Sequence, residues 1–520
     1  MTTIELLTQD LTSLLQETKR RNHEIKNACN LAINQLKAYK LVDQIEDSQQ
    51  KSIILMPFLM ACNSDNVKLI TLAIPVIHKL TLARLIPVLN LADLLDGYQE
   101  ATNLAVDVQL RILQNLPSLL SNYDDQFTGQ LLLKLLGICA SLTTNNKSTV
   151  VINTASATLQ QLFSYIFDRQ TQSPKLNHPL TVDDTKIMVD DLAYERFQIF
   201  QDLCHILNSE QPTYFTKLTN ISQLSVLEII ENIITSHAQL FSQNKELGFL
   251  LRQKVVPSLL ALLNDHIPST SQSLLNNKVT FPVYIRTMRI ILVLLATQLE
   301  NLEIEAEILL SFLNHLLLDN QNQNSKSTEW EKILVLEMYK TLFADFNVLK
   351  SIFVSYDKDP KKKDVVQELT SILLTFVQNN NYLGTESVVP FVALSHSSIQ
   401  STRDHANITN TVPYLGRTVS SMKVSILDLL DKSEPPASIP ATYPIYLIYN
   451  ILLAYADGIS KFVQGLSRND SNSTSLEADV EFTNAFIEAS YPHTSELFKS
   501  FICTRADNEC FHLLIKSFQR

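Results

Sequence analysis

The stretch LEIIENIITSHAQLF (227–241) places apolar residues on more than one face of a helix. A helix of that kind needs cover on two sides, which stacked helix pairs provide. The same helical period runs outward in both directions. Ile4, Leu7, Leu11 and Leu14 share a face, as do Ile25, Cys29, Ala32, Leu36 and Tyr39. Leu192, Ile199, Leu203 and Ile206 hold another, and Tyr284, Met288, Ile291 and Leu295 a fourth. No strand alternation bounded by turn residues stands out. The helices come in pairs joined by short polar turns, near the spacing of about 40–47 residues of HEAT or armadillo units, without exact self-similarity. The expected fold is all-α: a degenerate armadillo/HEAT-like helical-repeat solenoid. Separate small bundles are the other all-α packing open to it.

Composition narrows the function. Only 8 of 520 residues are glycine, against a usual share of about 7%. None stand close enough to write G-x-G or G-x-S-x-G, so phosphate loops and nucleophile elbows are disfavoured. A net charge of −11 argues against nucleic acid as a partner. It leaves room for a local basic patch that meets phosphate or lipid. The cysteines (29, 62, 139, 204, 503, 510) are scattered singly, as free thiols of a reducing compartment are. Glu5 and Asp10 stand where a signal peptide would need basic and apolar residues. The longest apolar run, Ile53 to Cys62, contains Pro57 and falls short of the roughly 18 residues of a bilayer span.

Local signals divide the chain. Thr2-x-x-Glu5 reads as a capping box opening the first helix. Polar stretches lie at 169–186, 264–278, 319–328, from Gln378 to about Thr442, and at 468–477. The first and fourth are read as domain boundaries and the others as loops. The chain stops in LLIKSFQR without a helix stop signal, which suggests the front portion of a longer protein.

Chemistry is sparse. Cys503, Cys510 and His512 form the densest Cys/His group, but on a helix residue 512 points about 200° from 510. They are read as buried free thiols beside a histidine, with no metal and no cofactor expected. Cys204 is read as a core cysteine next to a half-exposed His205. No device for activating a nucleophile is visible, so no catalytic residue is assigned. Lys19, Arg20, Arg21 and Lys26 cluster between the first two helices. They are either solvated cations at a helix end or a patch for anionic lipid, worth about 1 kcal/mol per cation. Asp359-Pro360, ahead of Lys361 to Lys363, reads as N-cap and first residue of a new helix.

AYERFQIFQDLCHILNSEQPTYFTKL (193–218), followed by 227–241 and KELGFLLRQKVVPSLLALL (245–263), resembles the N-terminal region of large Arf guanine-nucleotide exchange factors. FVSYDKDPKKKDVVQELTSIL (353–373) is similar to that family's HUS box, whose usual core is Asn, aromatic, Asp, Cys, Asp or Asn. Tyr356, Asp357 and Asp359 match it, whereas Ser355 replaces the Asn and Lys358 the Cys. PFLMACNSDNVKLITLAIPVIHKL (57–80) and LDLLDKSEPPASIPATYPIYLIYNILLAYADGI (427–459) resemble the monensin-sensitivity (MON-two) scaffold family, related to those factors but lacking their catalytic domain.

The resemblance implies a DCB-type domain over 1–170, a linker at 171–186 and a HUS-type domain over 187–380. It then implies a polar, Pro-containing linker region at 381–442 and the start of downstream helical repeats at 443–520. It implies a non-enzymatic scaffold, peripheral on trans-Golgi and endosomal membranes. Such a scaffold would self-associate through residues 1–170 and work with a Dopey-type scaffold protein, a phospholipid flippase and Arf-like GTPases. Tyr356, Asp357 and Asp359 would form a contact between domains. The competing readings are the autoregulatory front half of an active exchange factor and a cargo adaptor of the nuclear-transport type.

Overall fold

A computed structural model describes residues 3–18, 22–40, 44–64, 66–144, 147–170, 176–218, 221–264, 273–318, 328–379, 415–466, 473–504 and 506–519. The chain is all-α, a solenoid of stacked helices, with one small hairpin among the described residues. It forms two compact units, residues 1–240 with 244–250, and residues 241–243 with 251–520. None of the described helices is long and apolar enough to cross a membrane.

The first unit opens with α1 (Ile4–Glu17), α2 (His23–Leu36), α3 (Ser48–Cys62) and α4 (Val67–Leu82). It continues through α5 (Leu91–Ala101), α6 (Val106–Asn122), α7 (Gly129–Thr144) and α8 (Thr149–Asp168). From α3 onward alternate helices pack in layers: α4, α6, α8 and later α10 form one, and α3, α5 and α7 the other. The periodic leucines explain this. α1 buries Leu7, Leu11 and Leu14, and α2 buries Ile25, Cys29, Ala32 and Leu36. Each large aliphatic side chain so buried contributes about 1.5–3 kcal/mol. α1 starts one residue later than Thr2-x-x-Glu5 suggests, since Thr3 is the N-cap and its Oγ1 accepts the Leu6 N–H at 3.3 Å.

Residues 178–189 depart from the expectation of helices alone. β1 (His178–Val182), within the stretch 171–186 read as linker, pairs antiparallel with β2 (Thr185–Val189), which runs past its end. Asp183 and Asp184 take φ of 46° and 60°, the left-handed pair that a two-residue hairpin turn requires. Leu180, Val182 and Val189 are buried while Thr181, Lys186 and Met188 face out. The alternation is five residues long per strand and is easily lost beside helices of 14 or more. The hairpin rests on α9 (Asp191–Leu207), which leads to α10 (Gln223–Ser236), α11 (Ala238–Gln243) and α12 (Lys245–Leu250).

A π-turn at Leu251–Val255 opens the second unit ahead of α13 (Val256–Asn264). Pro257 has no N–H to donate back into that turn, a local cause for the wider backbone. There follow α14 (Ser273–Thr297), α15 (Glu303–Leu318), α16 (Glu329–Ala344), α17 (Phe346–Ser355) and α18 (Val365–Asn379). α19 (Arg417–Ser420), α20 (Tyr443–Leu466), α21 (Ser473–Ile502) and α22 (Asn508–Gln519) complete it. Here α14, α16, α20 and α22 form one layer and α15, α18 and α21 the other. Residues 415–442, expected as linker, run as a strap over α16 and α14 and include a 3₁₀ turn at Ile426–Asp428.

Candidate functional site

α8 ends at Asp168, leaving backbone carbonyls with no partner inside the helix. Arg196, on the first turns of α9, supplies the missing donors. Its Nε donates to the Ile166 carbonyl at 3.1 Å and its Nη2 to the Phe167 carbonyl at 3.0 Å and to the Arg169 carbonyl. Arg169 turns its own guanidinium the other way, onto the carbonyls of Phe127 at 3.1 Å and Asp124 at 2.6 Å and onto the Asp124 carboxylate. Glu195 accepts the Gly129 N–H at 2.5 Å, where Gly129 has the left-handed φ of +51° that starts α7. Burial pushes Arg196 down to about 10 and raises Glu195, which the Gly129 N–H and the Arg169 charge partly offset. His237, just past the end of α10, adds a bond to Asp168 at 2.9 Å.

Two residues of α9 thus tie it to the start of α7 and the end of α8. A second buried carboxylate, Asp202, accepts the N–H groups of Thr213 (2.7 Å), Tyr214 (2.9 Å) and Phe215 (2.5 Å) and holds the following loop to α9. Glu195, Arg196 and Asp202 all lie in AYERFQIFQDLCH, and sequence reasoning assigned none of them a role. The signal was available: charged residues spaced within an apolar helix face that carries Phe197 and Phe200.

The HUS-box-like residues do come together, within one turn of the second unit. Tyr356 is buried and its hydroxyl donates to the Glu303 carbonyl at 2.5 Å, fastening α17 to the start of α15. Asp357 accepts the N–H groups of Val366 at 3.0 Å and Gln367 at 3.3 Å, capping α18. Asp359 accepts the Lys361 N–H at 3.0 Å in a tight turn. The helix expected at Asp359-Pro360 therefore begins at Val365, because Asp357 supplies the stronger cap from outside. Glu303, Val366, Gln367 and Lys361 all lie in the 251–520 unit, where their bonds to these three residues brace one turn.

Burial pushes Asp357 up from 3.8 to about 6, against the N–H groups of Val366 and Gln367. The folded state therefore holds a proton that the unfolded state has released across this window. Asp357's contribution is complete below pH 3.8 and is lost as pH rises towards 6. Asp357→Asn should flatten the slope of the urea midpoint between those values. Asp357→Ala, which leaves the cap unmade, should flatten it too and lose about 0.5–2 kcal/mol below pH 3.8, where the contribution is complete. Parallel slopes for wild type and Asp357→Asn would count against this assignment.

Lys26 is exposed on α2, whereas Lys19, Arg20 and Arg21 lie outside the described residues. Among the described residues no group of His, Cys, Asp and Glu could hold a metal ion. Cys204 is buried in the core, as expected, and so is Cys510, but Cys503 is exposed, contrary to the reading of both 503 and 510 as buried. It follows the last residue of α21, Ile502.

Residues 1–173 match a family model described as the Mon2/Sec7/BIG1-like dimerisation and cyclophilin-binding domain (DCB). Residues 192–365 match the Mon2/Sec7/BIG1-like HUS domain. The chain belongs to the Mon2/Sec7/BIG1-like family. Protein MON2 of Saccharomyces cerevisiae is 30% identical over 99% of this chain and 30% of its own length. The MON2 homologs of Xenopus laevis and Homo sapiens are 24% and 23% identical, each over 89% of this chain and 29% of their own. The chain spans about 30% of the length of these curated relatives. In Mon2/Sec7/BIG1-like terms α8 belongs to the DCB match and α9 to the HUS match, so Arg196, Glu195 and Arg169 form the seam between the two domains. The first HUS helices pack in one compact unit with the DCB helices.

Proposed function

We propose that this chain is the front part of a non-enzymatic scaffold in Golgi and endosomal trafficking, peripheral on those membranes. The observation that carries the reading is the pairing of DCB and HUS matches with MON2 relatives from yeast to human that cover nearly the whole chain. A stack of helices whose buried charges bind helix ends offers surface and not chemistry. Residues 1–170 would self-associate, consistent with a family model named for dimerisation. A Dopey-type protein, a flippase and Arf-like GTPases are the partners carried over from the resemblance, and Lys19, Arg20, Arg21 and Lys26 the contact with anionic lipid. Four such cations give at most about 4 kcal/mol at low salt, near millimolar affinity. Recruitment would then need a second contact, such as a GTPase or a second copy.

Two measurements test this. Nucleotide exchange on purified Arf and Arf-like GTPases should stay at the spontaneous rate in the presence of the chain. Acceleration that scales with its concentration would favour the exchange-factor reading, which the shared Sec7/BIG1 descriptions keep in view. In vesicle sedimentation, reversing the charge of Lys19, Arg20 and Arg21 should abolish binding to anionic liposomes. Unchanged sedimentation would return these residues to solvated helix ends.

A further inference from the structure

The turn between α4 and α5 carries an apolar surface with nothing on it. Leu89 is 83% exposed, Leu82 57% and Val88 51%. The backbone holds them there. Arg84 takes a left-handed φ of 52° just past α4, and the Leu85 N–H returns to the Leu80 carbonyl at 2.9 Å. The Ile86 N–H donates to the Tyr123 hydroxyl at 2.9 Å, and Leu85 and Ile86 are buried. With these two facing inward, Val88 and Leu89 are presented outward. The Ser52 hydroxyl donates to Asn90 at 3.0 Å, which sets the turn against α3, where Met56, one helical turn on, is also exposed. A surface fixed by this many bonds is ordered before any partner arrives, which lowers the cost of binding.

The rim supplies charge of both signs. Arg84 is exposed at one end of the turn and Asp93, in the first turn of α5, at the other. A two-fold interface requires one patch to complement itself, each end meeting the opposite end of the other copy. An apolar centre with a cation and an anion at its two ends meets that requirement. An anionic membrane would meet the exposed Asp93 beside the leucines, Asp96 being paired with Lys134 at 2.8 Å, so lipid is the poorer occupant.

We propose that the Leu82–Asp93 turn, with Met56, is the isologous surface through which two copies of this chain associate, Arg84 of each copy pairing with Asp93 of the other. This rests on the reading that residues 1–170 self-associate. Sedimentation velocity on the full 520-residue chain tests it, with melting curves as the check of folding, since every substituted residue is exposed. Wild type should show a concentration-dependent dimer. Leu82→Asp with Leu89→Asp should stay monomeric at concentrations about tenfold higher or more, with an unchanged melt. Arg84→Asp and Asp93→Lys should each weaken the dimer about tenfold or more, because the two-fold axis repeats the loss at both Arg84–Asp93 pairs. Combined, they should restore it. A leucine variant that dimerises like wild type overturns this surface but leaves self-association standing. A wild type that is monomeric throughout overturns both. Failure of the paired charge variant to recover overturns the two-fold pairing. Loss of vesicle binding by the leucine variant with its dimer intact reassigns the turn to lipid.

Discussion

Arg196→Met should be among the most damaging single changes in this chain. Arg196 is only 9% exposed and spends its guanidinium on three backbone carbonyls at the end of α8. Methionine fills much of the volume but donates nothing, so three carbonyls lose their partner at once. An unsatisfied buried group costs about 1–3 kcal/mol, and breaking a buried charged network about 3–5 kcal/mol in all. Domains are stable by about 5–15 kcal/mol, so such a loss can consume much of the margin. Arg196→Lys should recover little of it, because one ammonium cannot fork to three acceptors as a guanidinium does. Glu195→Gln is the informative contrast. Its bond to Gly129 needs only one acceptor oxygen, which glutamine keeps, and burial already disfavours the charge. Its cost should be under about 1 kcal/mol. Urea unfolding, read with amide exchange at residues 166–169, measures all three. An Arg196→Met midpoint close to wild type would mean that water satisfies those carbonyls and that the seam is held by apolar packing alone.

Apolar spacing made the helices legible: Leu7, Leu11 and Leu14 are buried on one face as the period requires. It says nothing of what a charged residue does inside such a face. Arg196 and Asp202 sit among phenylalanines at helical spacing, and their partners are backbone groups contributed by other segments, which no local pattern records. The HUS-box-like turn failed in a different way. Asp359-Pro360 has the right residues for a helix start, yet Asp357 reaches N–H groups nine and ten residues on and wins the cap. The hairpin at 178–189 was hidden by an Asp-Asp turn in place of the Asn-Gly or Asp-Gly that usually marks one. Residues 415–442 looked like linker because of the EPPASIP run and the serines before it. The buried part of their attachment comes from a glutamate far away in sequence.

That glutamate is Glu337 on α16, and its removal carries the second large expected effect. It is 3% exposed, and its two oxygens serve three donors. Oε1 accepts the Ile426 N–H at 2.9 Å and the Tyr443 hydroxyl at 2.6 Å, and Oε2 accepts the Leu427 N–H at 2.8 Å. The strap at 425–428 and the start of α20 thus share one buried acceptor side chain. Burial raises the carboxyl above its ordinary range, opposed by these same three bonds. Its contribution is therefore largest at low pH and declines as pH rises through the raised value. Glu337→Gln does not rescue the site, because its amide nitrogen must face at least one N–H or O–H donor. Glu337→Ala leaves all three donors bare and should cost about 3–5 kcal/mol, and Tyr443→Phe, which deletes one donor with its bond, only about 1 kcal/mol. The single tryptophan, Trp330, lies two turns earlier on α16 against Phe281 and Tyr284, so its fluorescence reports whether α16 itself stays packed. The expected sequence in Glu337→Gln is early proteolytic cleavage within 415–442, with Trp330 emission still native. Cleavage at the wild-type rate would show that the strap is held by the burial of Ile426 and Leu427 and not by the carboxylate beneath them.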